Sequence, residues 1–110
     1  MSILNLTPHD IVVRGENGER VFAAPAPEKV CRVATTSTED GIIDGIPVFK
    51  TVFGEVENLP APEIGTVYIV SAIVINALAG TRPDVVAPDT GKTAIRDEKG
   101  LVKAVTRFTR

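Results

Sequence analysis

Apolar and polar positions alternate at short range along most of this chain, which is the mark of strands and not of amphipathic helices. "ILNL" at residues 3–6 predicts a first short strand. "DIVVR" and "ERVF" flank Asn17-Gly18 and predict a hairpin over a type I′ turn, whose two central residues need positive φ. "APAPE" at 24–28 reads as a loop or edge crossing, because its prolines cannot donate to a ladder. "KVCRVATTST" predicts a strand over 29–38, and "EDG" at 39–41 is expected to end it. Asp44-Gly45 predicts a turn. Residues 46–53 then predict a strand with Pro47 at its start or on an edge, followed by the second proline-rich connection, "ENLPAPEIG".

The run "TVYIVSAIVINALAG" supports two readings. One divides it into a buried strand over 66–70, Ser71 as N-cap and a short helix over 72–79 closed by Gly80. The other is a single buried strand to Ile75, favoured locally by β-branched Ile73, Val74 and Ile75. The Ala and Leu after Asn76 favour the division. Beyond it, "VVAP" at 85–88 reads as a short strand. "DTGK" reads as a turn in which Asp89 accepts a local hydrogen bond and Gly91 takes positive φ. Residues 93–96 and 101–108 predict a hairpin. Seven or eight short strands with one short helix predict a mainly β, α+β fold: a compact, partly closed antiparallel β-structure.

The 110 residues fit a single domain spanning 1–110. With no tryptophan, one tyrosine and four phenylalanines, the core must come from Val, Ile, Leu and Ala. Twelve basic and fourteen acidic residues give no broad positive field, so duplex nucleic acid is not an expected partner. Cys31 is the only cysteine, which leaves no intrachain disulfide and no cysteine-based zinc site; its place in a strand pattern predicts a buried thiol. The start lacks a signal-peptide pattern, and the apolar run is short and interrupted by Ser71 and Asn76. A cytoplasmic location with no membrane partner is therefore expected.

Several motifs fall short of known chemistry. Asp89-Thr90-Gly91 has the triplet of aspartic proteases, but Pro88 precedes it, Lys92 follows it, and too little chain remains for a flap. "TGKT" lacks the upstream glycine of a phosphate-binding loop and leads into a strand. Asp84, Asp89, Asp97 and Glu98 lack calcium-loop spacing, so no metal or other cofactor is expected.

A ligand site is expected elsewhere. If Ser71 opens a helix, bare amides at that start attract an anion, and Arg82 and Arg96 could clamp it with paired hydrogen bonds. Asp84 and Asp89 would read hydroxyls or base edges, and Tyr68, a Phe or an Arg face would stack. The competing reading has Ser71 capping its own helix and Arg82 paired with Asp84 or Asp89. Asn76, placed among apolar residues, would need partners if buried. In "NLTPH", Asn5, Thr7 and His9 would share one face of an extended segment, lining a pocket or a solvated edge.

"NLTPH", "GIPVFKTVFGEVENLPAP", "GTVYIVSAIV", "RPDVVAPDTG" and "AIRDEKG" together resemble a family of small bacterial and phage proteins with no established activity. The resemblance covers nearly the whole chain and implies a context, not a reaction. Phage proteins without enzyme motifs often bind a host product, such as a nucleotide-derived immune signal. Three functions are thus open: a non-enzymatic sponge for a small anionic ligand, expected to be a homo-oligomer; a small phosphodiesterase or hydrolase using His9, Asp84 or Asp89 as base; and a structural or protein-interaction component of a phage. The first is preferred.

Overall fold

The most apolar run becomes the centre of the molecule. A computed structural model describes residues 1–110. In chain order the elements are β1 (Ser2–Asn5), β2 (Ile11–Arg14), β3 (Arg20–Ala24), β4 (Arg32–Ile43), β5 (Ile46–Glu57), β6 (Thr66–Ile69), α1 (Ala72–Leu78), β7 (Val85–Pro88), β8 (Ile95–Arg96), β9 (Val102–Ala104) and β10 (Phe108–Thr109). The fold is β-rich α+β with one short helix.

The central sheet has the order β1-β6-β7-β10. β1 and β7 both run parallel to β6, and only β10 is antiparallel. The expectation of an antiparallel structure is therefore corrected at the core. The physical reason lies in α1: a helix between β6 and β7 returns the chain to the starting end, so β7 must run the same way as β6. Parallel strands of this kind are covered on both faces and read as unbroken apolar runs. Period-two alternation then feeds two cores. Ile69 and Val86 join Ile11, Val13 and Val105 on one side, while Tyr68, Val70 and Val85 join Cys31 and Val74 on the helix side.

The divided reading of the central run describes what forms. β6 ends at Ile69, Ser71 is extended at the N-cap, and α1 follows. The helix closes one residue earlier than expected, with Ala79 in the left-handed region at φ 49° and its N–H on the Ile75 carbonyl. Asn76 lies exposed, so it needs no buried partner.

Other boundaries shift for local reasons. Glu16-Asn17-Gly18 form a three-residue loop in which Gly18 alone has positive φ, at 79°, and the Gly18 N–H bonds the Gly15 carbonyl. This is a type I turn closed by a left-handed glycine, not the expected type I′. The type I′ chemistry sits instead at Asp44-Gly45, where φ is 49° and 78°. That turn locks β4 onto β5, and β4 continues through "EDG" by a bulge between Glu39 and Ile42 that uses Gly41 at φ 99°. The last strand breaks in two because its residues serve different sheets. The Val105 N–H bonds Val12 O, while the Arg107 carbonyl accepts from the Asp89 N–H beside β7. Gly91 does not take positive φ; the Asp89 carboxylate accepts its N–H at 3.0 Å.

β4 and β5 form a separate two-stranded ribbon whose base packs on α1. The radius of gyration is 16.4 Å, against about 13 Å for a compact chain of this length. The molecule is 51 Å along its longest axis, and a ribbon of twelve-residue strands, about 40 Å long and flanked by no other strand, accounts for such an elongation.

Candidate functional site

β1, β6 and β7 run the same way, so their carboxyl ends come out on one edge of the sheet. Thr7 follows β1, Ser71 follows β6, and Pro88 ends β7. In sheets with parallel strands this is the edge where ligands settle, because the connections diverge there and leave a crevice. A cavity of about 420 Å³ lies at this edge, bounded by residues 7 and 9–12, Ser71 and Ala72, Pro88 and Thr90, and residues 102–105. Small-molecule sites have volumes of roughly 300–1,000 Å³.

The first wall is held by the network that "NLTPH" encodes. Asn5 and Thr7 are buried. The Asn5 side-chain amide donates to the His9, Ala24 and Pro25 carbonyls at 2.8, 3.3 and 3.1 Å. Its oxygen accepts the Thr7 N–H at 2.9 Å and lies 2.7 Å from the Thr7 hydroxyl. The His9 N–H bonds Thr7 Oγ1 at 3.3 Å. The segment is therefore a turn, not the extended stretch expected, and Asn5 faces inward to tie β1 to the end of β3. All of its hydrogen-bonding capacity is used there, so it shapes the cavity from behind. His9 lines the cavity with its side chain exposed, and only its main chain is bonded to the wall. The Asp10 carboxylate accepts the Ala26 N–H at 2.8 Å, anchoring the proline-rich loop.

The second wall is the start of α1. The Ser71 hydroxyl makes no cap bond to the helix, and Ser71 lines the cavity. Val12, Val102, Ala104 and Val105 supply apolar surface, and Lys103 stands exposed at the rim as the only lysine or arginine of the lining.

The other expected site residues lie apart from this cavity. Arg82 lines a second hollow of about 270 Å³ with Ile75, Leu78 and Arg110. Its guanidinium grips both Asp84 oxygens at 2.9 Å and the Pro60 carbonyl at 2.9 Å. That hydrogen bond holds the Asp84 carboxyl below its ordinary range. Asp89 is bonded to Arg107 Nε at 2.6 Å, which lowers its carboxyl likewise. Arg96 donates to the Gly100 carbonyl at 2.8 Å and the Thr90 carbonyl at 2.9 Å. Arg82 and Arg96 thus do not converge on one anion. Arg96 acts on the cavity only by fixing Thr90 at its edge. Tyr68 is buried in the helix-side core with its hydroxyl on the Ala61 carbonyl, so it stacks on nothing in the cavity.

Cys31 sits in the same core as Tyr68, and burial pushes its thiol above the ordinary value. A raised thiol is a poor nucleophile, and His9 stands at the cavity instead. No three His, Cys, Asp or Glu side chains gather closely enough to hold a metal ion.

Of the residues picked from sequence, the fold brings Thr7, His9 and Ser71 together. Sequence reasoning missed Lys103 and Asp10, and treated Thr90 only as part of a turn. The strand pattern did separate Lys103 from its apolar neighbours, but nothing local shows that β9 lies against β2. No protein-family model, curated protein or solved structure matches this chain. No helix is long and apolar enough to cross a membrane.

Proposed function

We propose that the protein is a non-enzymatic, cytoplasmic binder of a small anionic ligand of nucleotide type, in the manner of a phage sponge for a host signal. The observation that carries this reading is the cavity at the carboxyl ends of β1, β6 and β7, with a free Ser71 hydroxyl, His9 and Lys103 around apolar walls. Lys103 and the Ser71 hydroxyl would meet the anion, and His9 would add a donor. Val12, Val102 and Pro88 would cover the flat face of a base. The two arginines chosen from sequence are not part of this site, so the ligand's charge rests mainly on one lysine. A singly charged or diester-type anion suits it better than a triphosphate.

Isothermal titration calorimetry with cyclic dinucleotides and cyclic ADP-ribose tests the reading. Saturable binding is expected to weaken about 10-fold or more in Lys103→Ala, the loss typical of a charged hydrogen bond. Arg82→Ala should leave affinity unchanged. Absence of binding to every probe, or equal sensitivity to both substitutions, rejects it. A hydrolase reading has one favourable observation, that His9 and Ser71 line the same cavity. Chromatography of the probes after incubation separates the two: a sponge returns its ligand unchanged, and a hydrolase does not.

A further inference from the structure

The ribbon β4–β5 has twenty-four strand residues and none of them is buried. Exposure reaches 66% at Ile42 and Ile43, 65% at Ile46 and 60% at Phe49, with Val52 and Phe53 at 41% and 37%. The register divides these side chains between two faces. Ile42 lies opposite Pro47, on the face shared by Phe49 and Phe53. Ile43 lies opposite Ile46, on the face shared by Val48 and Val52. A two-stranded hairpin is at best marginally stable alone in water, and here only the base packs on the body. Along β5 and at its tip the ribbon carries exposed apolar side chains on both faces, and lying on one flat surface would still leave one set of them wet.

We propose that this ribbon is an arm exchanged between two copies of the chain, each arm packing on the body of the other around a two-fold axis. Area favours a second copy. About nine residues beyond the base, at about 3.3 Å each across two strands about 5 Å wide, give roughly 300 Å² per face. Both faces of the arm, with the body surface that each chain offers in return, reach the roughly 800 Å² that a stable pairing takes from each partner. Charge favours the exchange of arm for body over the pairing of arm with arm. The ribbon carries two basic and five acidic side chains, whereas the rest of the chain has ten basic and nine acidic. The acids at the tip are Glu39, Asp40 and Asp44, and over 103–110 the cations without a carboxylate partner are Lys103 and Arg110, Arg107 being paired with Asp89. Two arms brought side by side would repel, while an arm on a body would not. A two-fold exchange makes the contact twice with the same residues, so it closes without forming a filament.

Sedimentation velocity of the intact chain tests the proposal. At about 100 µM, well above the micromolar limit for interfaces of this size, the expected mass is twice 11.7 kDa. Phe49→Asp and Ile43→Asp, one on each face, should each weaken the dimer by roughly 30-fold or more, as loss of a buried anchor does. Circular dichroism of both variants should match that of the wild-type chain diluted to monomer. Glu16→Lys, in the β2–β3 loop, should leave the dimer intact. As a check that needs no variant, ribbon amides should exchange more slowly with deuterium at high than at low protein concentration. A monomer throughout, or a dimer indifferent to both ribbon substitutions, overturns the proposal. So does ribbon exchange that does not depend on concentration.

Discussion

The central strands and the ribbon are built from similar residues and meet opposite fates. In β6 and β7 five of eight residues are buried and none is exposed. In β4 and β5 no residue is buried, although β5 places Val48 and Val52 on one face and Phe49 and Phe53 on the other by the same alternation that orders β6. β6 has a strand on each edge and a layer on each face, with the β2–β3 side on one and α1 on the other. Beyond the base that packs on α1, the ribbon has only its own partner strand and the Asp44-Gly45 turn. Alternation therefore sets that a segment is extended. It does not set whether anything covers it.

The sharpest break of this comparison comes from truncating each region in dilute monomer. Ile69→Ala should lower the unfolding free energy by about 2–5 kcal/mol, because a fully enclosed side chain leaves a cavity. Urea titration at low protein concentration measures it. Phe49→Ala under the same conditions should change it by less than about 0.5 kcal/mol. Equal losses would mean that the ribbon is already enclosed within one chain.

Next in size is the Asn5 network, which belongs to the body but is polar. Asn5→Ala orphans the Thr7 N–H and removes the donor shared by three carbonyls. A loss of about 1–3 kcal/mol is expected. Asn5→Asp should not rescue it, since a carboxylate cannot donate to those carbonyls. Rescue by Asp would show that the acceptor bonds alone hold the loop.

Smaller again is the pair formed by Arg82 and Asp84, at the partly exposed margin of the body. Asp84→Asn should cost about 1 kcal/mol at neutral pH, the upper range for such pairs. Asp84 is held below its ordinary value in the fold. Its contribution is therefore present above the unfolded pKa of about 3.9 and is lost as pH falls through the folded value. Thermal melts should show the gap between wild type and Asp84→Asn closing as the solution is made strongly acid. Asp89, held by Arg107, should behave with the same sign. The smallest effect on global stability is at the ribbon tip. Gly45→Ala strains a φ of 78° and should cost about 1–2 kcal/mol locally, registered as faster exchange of ribbon amides and not as a lower midpoint.

Much of the site was legible in pieces. Thr7, His9 and Ser71 stood out because they are polar residues next to apolar strands, and the parallel sheet brings all three to one edge. Arg82 and Arg96 stood out for the same reason but are held by Asp84 and by the Thr90 and Gly100 carbonyls. A guanidinium's partner depends on which loops pass it, and loops such as 58–65 leave no periodic signal.

The sequence by itself located most of the strands, favoured the division of strand from helix at Ser71, and required that the core be aliphatic. These follow from backbone preference and side-chain period, which act over a few residues. Strand direction, the joining of β1 and β10 to the same sheet, the inward turn of Asn5 and the bareness of the ribbon were decided only in three dimensions. They depend on which distant segments compete to cover the same apolar face, and that competition is settled by packing across the whole chain.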